Sequence, residues 1–193
     1  RGVTQSWGAL QPGDIRYADL NGDDVVDELD VHVTDYHSPR FFYGINLSLG
    51  YRGFSIFALA QGEADGNVML ANDRYFRING TGQNYSELML DRFPVTNDYP
   101  RLTTVSPNNY QYSTFWVAKA AYLRLKNIEV SYTFPVTASR RLAMNNLRIF
   151  ARGTNLAALS SLKKYSVDPE KIDAGITGYP LFRTITAGVS CKF

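Results

Sequence analysis

An all-β chain of antiparallel strands is predicted by three features of the sequence. Strand-forming residues are plentiful, including 13 Tyr and 11 Phe, while helical 3.6-residue patterns are scarce. Several long stretches alternate apolar and polar residues with a period of two. Short turn signals lie at one end of these stretches and long polar loops at the other, the asymmetry of a transmembrane β-barrel wall. A soluble sandwich also alternates, and 45% hydrophobic residues over 193 positions is enough to build a core.

The elements follow in order. After a Gly/Pro-containing lead-in, "GDIRYADL" alternates weakly and runs into an acidic loop, residues 19–30. In "RFFYGINLSLGYRGF", Phe41, Tyr43, Ile45, Leu47, Leu49 and Tyr51 share one face, expected to meet lipid. Phe42, Gly44, Asn46, Ser48, Gly50 and Arg52 share the other, and Asn46, Ser48 and Arg52 are expected to face a lumen. Arg52-Gly53 reads as a tight turn into a second strand with Phe54, Ile56, Ala58 and Ala60 in line. Residues 63–111 lose periodicity and read as a long loop.

In "FWVAKAAYLRLKNIEVSYTFP", Leu123 and Leu125 are odd while Ile128, Val130, Tyr132 and Phe134 are even, so the phase slips at Lys126-Asn127 and a β-bulge is expected there. Pro135 ends that strand. A short connection to Asn146 precedes "LRIFARGTNLAAL", in which Leu147, Ile149 and Ala151 oppose Arg148 and Arg152. A loop over 163–178 leads to "RTITAGVSCKF", where Ile185, Ala187, Val189 and Cys191 alternate up to Phe193. Alternation to the last residue predicts a docked terminus, since untied ends fray.

Several classes are excluded. A net charge of +2 from 20 basic and 18 acidic residues, with no basic run, gives no attraction for nucleic acid. One cysteine, Cys191, permits no internal disulfide and suits a packing role. No stretch approaches the ~18 apolar residues of a membrane helix. The opening "RGVTQSWGAL", without Met or signal peptide, suggests an internal point of something longer or a processed end. His32 and His37 form no zinc motif, and nucleophile-elbow, P-loop and dinucleotide motifs are missing. Paired carboxylates for glycoside hydrolysis lack a strand-end motif. The chain is not expected to be an enzyme.

Two sets of residues are candidates for binding. "DLNGDDVVDELD" holds six of the 18 acidic residues, and Asp19, Asn21, Asp23, the Val25 carbonyl, Asp27 and Asp30 fall at positions 1, 3, 5, 7, 9 and 12 of a calcium loop. Asp24 stands where glycine makes the sharp turn, and Asp tolerates that backbone better than most residues. Ca2+ is therefore the expected cofactor, against the alternative of a solvated acidic turn. In the long loops, Tyr75, Tyr85, Tyr99, Tyr110 and Trp116, with Phe76 and Tyr112, could stack on sugar rings, or pack the loops together, or sit at headgroup level.

"GDIRYADLNGDDVVDELD", "RFFYGINLSLGYRGFSIFALAQG", "YLRLKNIEVSYTFP", "LRIFARGTNL" and "GYPLFRTITAGVSCKF", in this order, resemble the C-terminal part of the SusC/RagA family of TonB-dependent outer-membrane transporters. The resemblance implies a segment of a barrel of about 22 strands, with residues 1–193 forming its C-terminal part. It implies the rest of the barrel and an N-terminal plug as partners, TonB acting through that missing part, and a SusD-like surface lipoprotein. It further implies outer-membrane lipid around the wall of a Gram-negative cell and import of glycans, or peptides in some branches. A terminal Phe on an alternating strand would be the signal read by the barrel-assembly machinery. The runner-up is a secreted, calcium-stabilised β-sandwich that binds glycans.

Overall fold

The computed structural model describes residues 3–33, 38–70, 87–92, 94–96, 98–104, 106–140, 143–174, 179 and 181–192. Nine strands occur among them: β1 (Thr4–Gln5), β2 (Val25–Val26), β3 (Phe41–Tyr51), β4 (Phe54–Ala64), β5 (Asn67–Met69), β6 (Val117–Lys119), β7 (Tyr122–Thr133), β8 (Asn146–Ser160) and β9 (Thr184–Lys192), with one short helix, α1 (Val136–Arg140). Contacts divide the chain into two units: 1–37 with 67–118 and 173–177, and 38–66 with 119–172 and 178–193.

The second unit is a five-stranded antiparallel sheet in the order β3-β4-β7-β8-β9. The expected hairpin is present, with Arg52 at φ +46 and Gly53 at φ +89 between β3 and β4, the double positive-φ turn whose twist matches antiparallel strands. A Cβ on Gly53 would meet the Thr133 carbonyl at 2.7 Å, so glycine is required there on two grounds. The expected bulge is present too. Ala60 and Leu59 pair with Leu125 and Asn127, leaving Lys126 as the extra residue against β4. On the other side β8 carries an extra residue around Asn155, at φ +52. These irregularities return Leu123, Leu125, Ile128 and Val130 to one face despite their change of parity.

Arg52 differs from expectation. It is a turn residue with its guanidinium 5.2 Å from the Tyr51 ring centroid, off the polar face of β3. The region read as one loop from residue 63 also has more order at its start, since β4 runs on to Ala64 and β5 follows.

In the first unit β1 and β2 pair in parallel, and short 3-10 turns cover Glu28–Asp30, Glu87–Leu90, Pro107–Tyr110 and Thr114–Trp116. Leu70 donates its amide to the Trp116 carbonyl (2.8 Å). The buried apolar residues of this unit are Val26, Val68, Leu70, Tyr110, Trp116 and Ala118. No helix among the described residues is long and apolar enough to cross a membrane, which says nothing of strands.

Candidate functional site

One face of the sheet is an uninterrupted apolar wall. Reading across the strands, Leu49, Ile56, Val130, Ala151 and Ala187 form one row, and Tyr51, Phe54, Tyr132, Ile149 and Val189 the next. These side chains are uncovered: Ile45 is 60% exposed, Leu49 56%, Val130 45% and Val189 66%. No second sheet encloses them among the described residues, as a sandwich would demand. Aromatic rings gather at the turn end of this face, Phe54 against Tyr132 at 4.6 Å and Tyr132 against Phe134 at 5.0 Å. That is the arrangement of an interfacial aromatic girdle.

The opposite face is polar and organised around buried carboxylates. Glu129 is 8% exposed and bridges two arginines of β8, with one oxygen accepting from Arg148 and the other from Arg152 (2.5 Å). Arg148 also donates to Ser131 Oγ at 3.0 Å, and the Phe150 ring lies 5.7 and 5.8 Å from the two guanidinium carbons. One acid between two arginines leaves a local charge of +1 on this face.

Nearer the long loops, Arg124 of β7 meets Asp168 (2.5 Å) and Glu170 (2.9 Å), while Lys126 Nζ reaches the other Glu170 oxygen (2.7 Å). Asp168 Oδ2 accepts in turn from the Leu181 amide at 2.9 Å. The Arg124 and Asp168 side chains are each 6% exposed. Burial with complementary charge pins the loop after β8 to the polar face of β7, and removing either partner leaves an uncompensated buried charge. This contact was missed in the sequence. The available signal was two cations, Arg124 and Lys126, at alternate positions on the polar side of one strand.

The first unit is assembled by side-chain amides. Asn109, fully buried, accepts from the Ile15 amide (2.9 Å) and donates to Asp14 Oδ1 (2.8 Å). Asn108 donates to the Ile15 carbonyl (2.7 Å) and accepts from Gln5, whose Oε1 accepts the Tyr17 amide (2.6 Å). Asp14 closes the network on Arg101 at 2.6 and 3.3 Å. Burial pushes the Asp14 carboxyl up, but hydrogen bonds from Arg101, Asn109 and the Gln11 amide outweigh it and hold the group below the usual carboxylate value.

Of the candidate sugar-stacking rings, Tyr99, Tyr110 and Trp116 pack together in this unit, while Tyr112 is exposed. Trp116 is 1% exposed, its Nε1 donates to the Asn109 carbonyl (2.9 Å), and the rings of Tyr99 and Tyr110 stack on it at 6.3 and 5.9 Å. These three form a packed core, the packing alternative for such loops. Tyr75, Phe76 and Tyr85 lie outside the described residues, as do His37 and the terminal Phe193.

The acidic loop folds on its own amides. Asp19 accepts from Gly22 (2.6 Å) and Asp24 (2.9 Å), Asn21 from Asp23 (3.0 Å), Asp23 from Val25 (2.8 Å) and Asp27 from Leu29 (2.8 Å). Both oxygens of Asp30 are engaged, Oδ2 by the Asp27 amide and Oδ1 by those of Leu20 and Asn21. These bonds, the Asp27 amide foremost, hold the Asp30 carboxyl below its ordinary value. The carboxylates therefore have a structural reason to be here. Among the described residues no three His, Cys, Asp or Glu side chains converge closely enough to hold a metal ion.

No family model matches the chain. Over 96% of its length it is 23% identical to TonB-dependent receptor P3 of Formosa agariphila, and over 94% it is 27% identical to TonB-dependent receptor P26 of that organism. The chain spans a fifth, 20%, of these curated relatives. Its fold is similar to that of the RagAB peptide transporter, with a TM-score of 0.60 and 27% identity over 81% of this chain and 17% of the other. A structure of the RagAB peptide importer in its closed-closed state gives 0.59 and 27% over the same shares. By their names these relatives are TonB-dependent receptors and a peptide transporter. The resemblance to SusC/RagA TonB-dependent outer-membrane transporters is thus borne out, and the antiparallel sheet is similar to part of the fold of such a protein.

Proposed function

We propose that the chain supplies barrel wall and outer loops to a TonB-dependent importer of oligomeric nutrients. The observation that carries this reading is the apolar wall, with Ile45, Leu49, Val130 and Val189 uncovered on one side of a sheet whose other side holds Glu129, Arg148 and Arg152. Lipid outside and a wet lumen inside account for both faces. The edges of β3 and β9 are unpaired among the described residues, so further strands are proposed to continue the sheet. The rest of the barrel, a plug that engages TonB, and a SusD-like lipoprotein complete the proposed machine. The loops over 63–111 and 163–178 would then be extracellular. Glycans are the cargo the resemblance implies, but RagAB is a peptide transporter, and that likeness favours a peptide.

Cell fractionation and uptake test the proposal. The protein carrying this chain should remain in the outer membrane after alkaline extraction, and uptake of labelled oligopeptides should stop when TonB is depleted. A soluble, monodisperse species obtained without detergent would favour the sandwich instead.

Calcium in the 19–30 loop is a second proposal, supported by Asp24, which takes φ +66 at the position where calcium loops turn left-handed. Calcium should then raise the melting temperature of the protein and a chelator should lower it. An unchanged melt would leave the self-capped turn as the whole explanation.

A further inference from the structure

The loop unit holds a pocket of about 440 Å³ whose lining includes Trp7, Tyr17, Tyr112, Asp27, Glu28 and His32. That size encloses most of a small ligand. Trp7 and Tyr17 meet edge to face at 5.8 Å, and Tyr112 is 73% exposed. Three carboxylates line the pocket, yet no lysine or arginine does. Asp30 spends both oxygens on backbone amides, and Asp27 gives one to Leu29. Glu28 has no hydrogen bond or ion pair among the described residues. Aromatic rings beside unneutralised carboxylates are the chemistry of cation recognition, in which ring faces and anions both attract a positive group.

We propose that this pocket binds an alkylammonium or guanidinium group carried on a peptide, that is, a lysine or arginine side chain. The apolar stem lies against the rings and the charged head meets Glu28, which is not among the proposed calcium ligands. A neutral sugar would use the rings but leave the negative charge unanswered. A free amino acid would bring an α-carboxylate as well as an α-ammonium into an acid-lined site, and the repulsion of the first offsets the attraction of the second. The preference for a cation rests on the pocket alone, while the peptide as its carrier rests on the importer reading.

Isothermal titration of the detergent-purified protein carrying this chain tests it. The probes are a tripeptide with a central lysine and both ends blocked, its norleucine counterpart, free lysine, and maltose. The lysine peptide should bind about tenfold tighter than the norleucine peptide, tighter also than free lysine, and raised salt should weaken it. Glu28→Gln, at an exposed position, should weaken binding about fivefold with the melting curve unchanged. Trp7→Phe should retain most of the affinity. Equal binding of the norleucine peptide or maltose, no binding of the lysine peptide, or an unaffected Glu28→Gln protein would overturn the assignment.

Discussion

The two units hold themselves together by different means. In the sheet, strands 9 to 15 residues long satisfy their backbone groups by pairing, and the exposed side chains of one face make few demands on each other. In the loop unit the strands are two or three residues long, and buried amide side chains do the joining, as between Asn109 and Ile15 or between Asn108 and Gln5. The sheet is consequently defined by a repeating local rule and, on the proposed reading, relies on an apolar solvent outside. The loop unit is defined by a few irreplaceable contacts between residues far apart in sequence. Damage to the first should depend on which face is altered, and damage to the second on which residue.

The largest expected effect breaks the loop unit alone. Trp116 is buried beneath two stacked tyrosines, so Trp116→Ala should cost about 3–5 kcal/mol by cavity formation and loss of ring contacts. Hydrogen exchange should show amides of the 67–118 region losing protection while those of β3, β4 and β7 to β9 keep theirs. A uniform loss across both units would mean they melt as one.

The next effect tests the sheet by its faces. Leu47, 47% exposed on the apolar wall, pairs with Ala58 of β4. Leu47→Arg should cost about 2–4 kcal/mol in a bilayer if that position lies near mid-membrane. Asn46→Arg, one residue away on the opposite face, should cost well under about 1 kcal/mol, because a lumen wets it. Chemical unfolding from liposomes measures both, and equal costs would deny the lipid assignment.

The same contrast explains what could be read in advance. Each long strand, the Arg52-Gly53 turn and the slip at Lys126 leave a mark within a few residues, because period-two alternation and positive-φ turn residues are local properties. Arg52 was misassigned for a related reason: alternation extrapolates through a turn that in fact ends the face. Nothing local announces that Asn108 and Asn109 meet Gln5, Ile15 and Asp14 some ninety to a hundred residues earlier. Nor does it show that Asp168 will seek Arg124. The acid spacing of the 19–30 loop was legible as a turn, but backbone amides and a cation ask for the same oxygens, and sequence alone does not separate them.

A smaller effect follows at Asn109. Asn109→Ala leaves the Ile15 amide without its acceptor and removes one donor from Asp14, a loss of about 1–3 kcal/mol. Asn109→Asp sharpens the result, since it keeps the acceptor for Ile15 but sets a second carboxylate against Asp14 and should be the more harmful of the two. Thermal melts followed by tryptophan fluorescence suit this measurement, because both tryptophans, Trp7 and Trp116, belong to the loop unit.

The smallest effect is that of acid, and its sign follows from Asp14 and Asp30. Both carboxyls are held below their ordinary values in the folded protein, Asp14 by Arg101, Asn109 and an amide that together outweigh its burial, Asp30 by the amides of Asp27, Leu20 and Asn21. An unfolded aspartate titrates near about 3.9. Above that value both states are ionised and the stabilisation is fully present. As pH falls below it the unfolded chain takes up protons first, and the contribution drains away until the folded groups protonate as well. The loop unit should therefore loosen below about pH 4, seen as a change in tryptophan emission, while the β signal in far-ultraviolet circular dichroism persists. Asp14→Asn should flatten that acid transition, because Arg101 stays charged at every accessible pH and only the carboxylate titrates. A sheet signal lost in step with the fluorescence would show that the sheet shares the loop unit's dependence on these few hydrogen bonds.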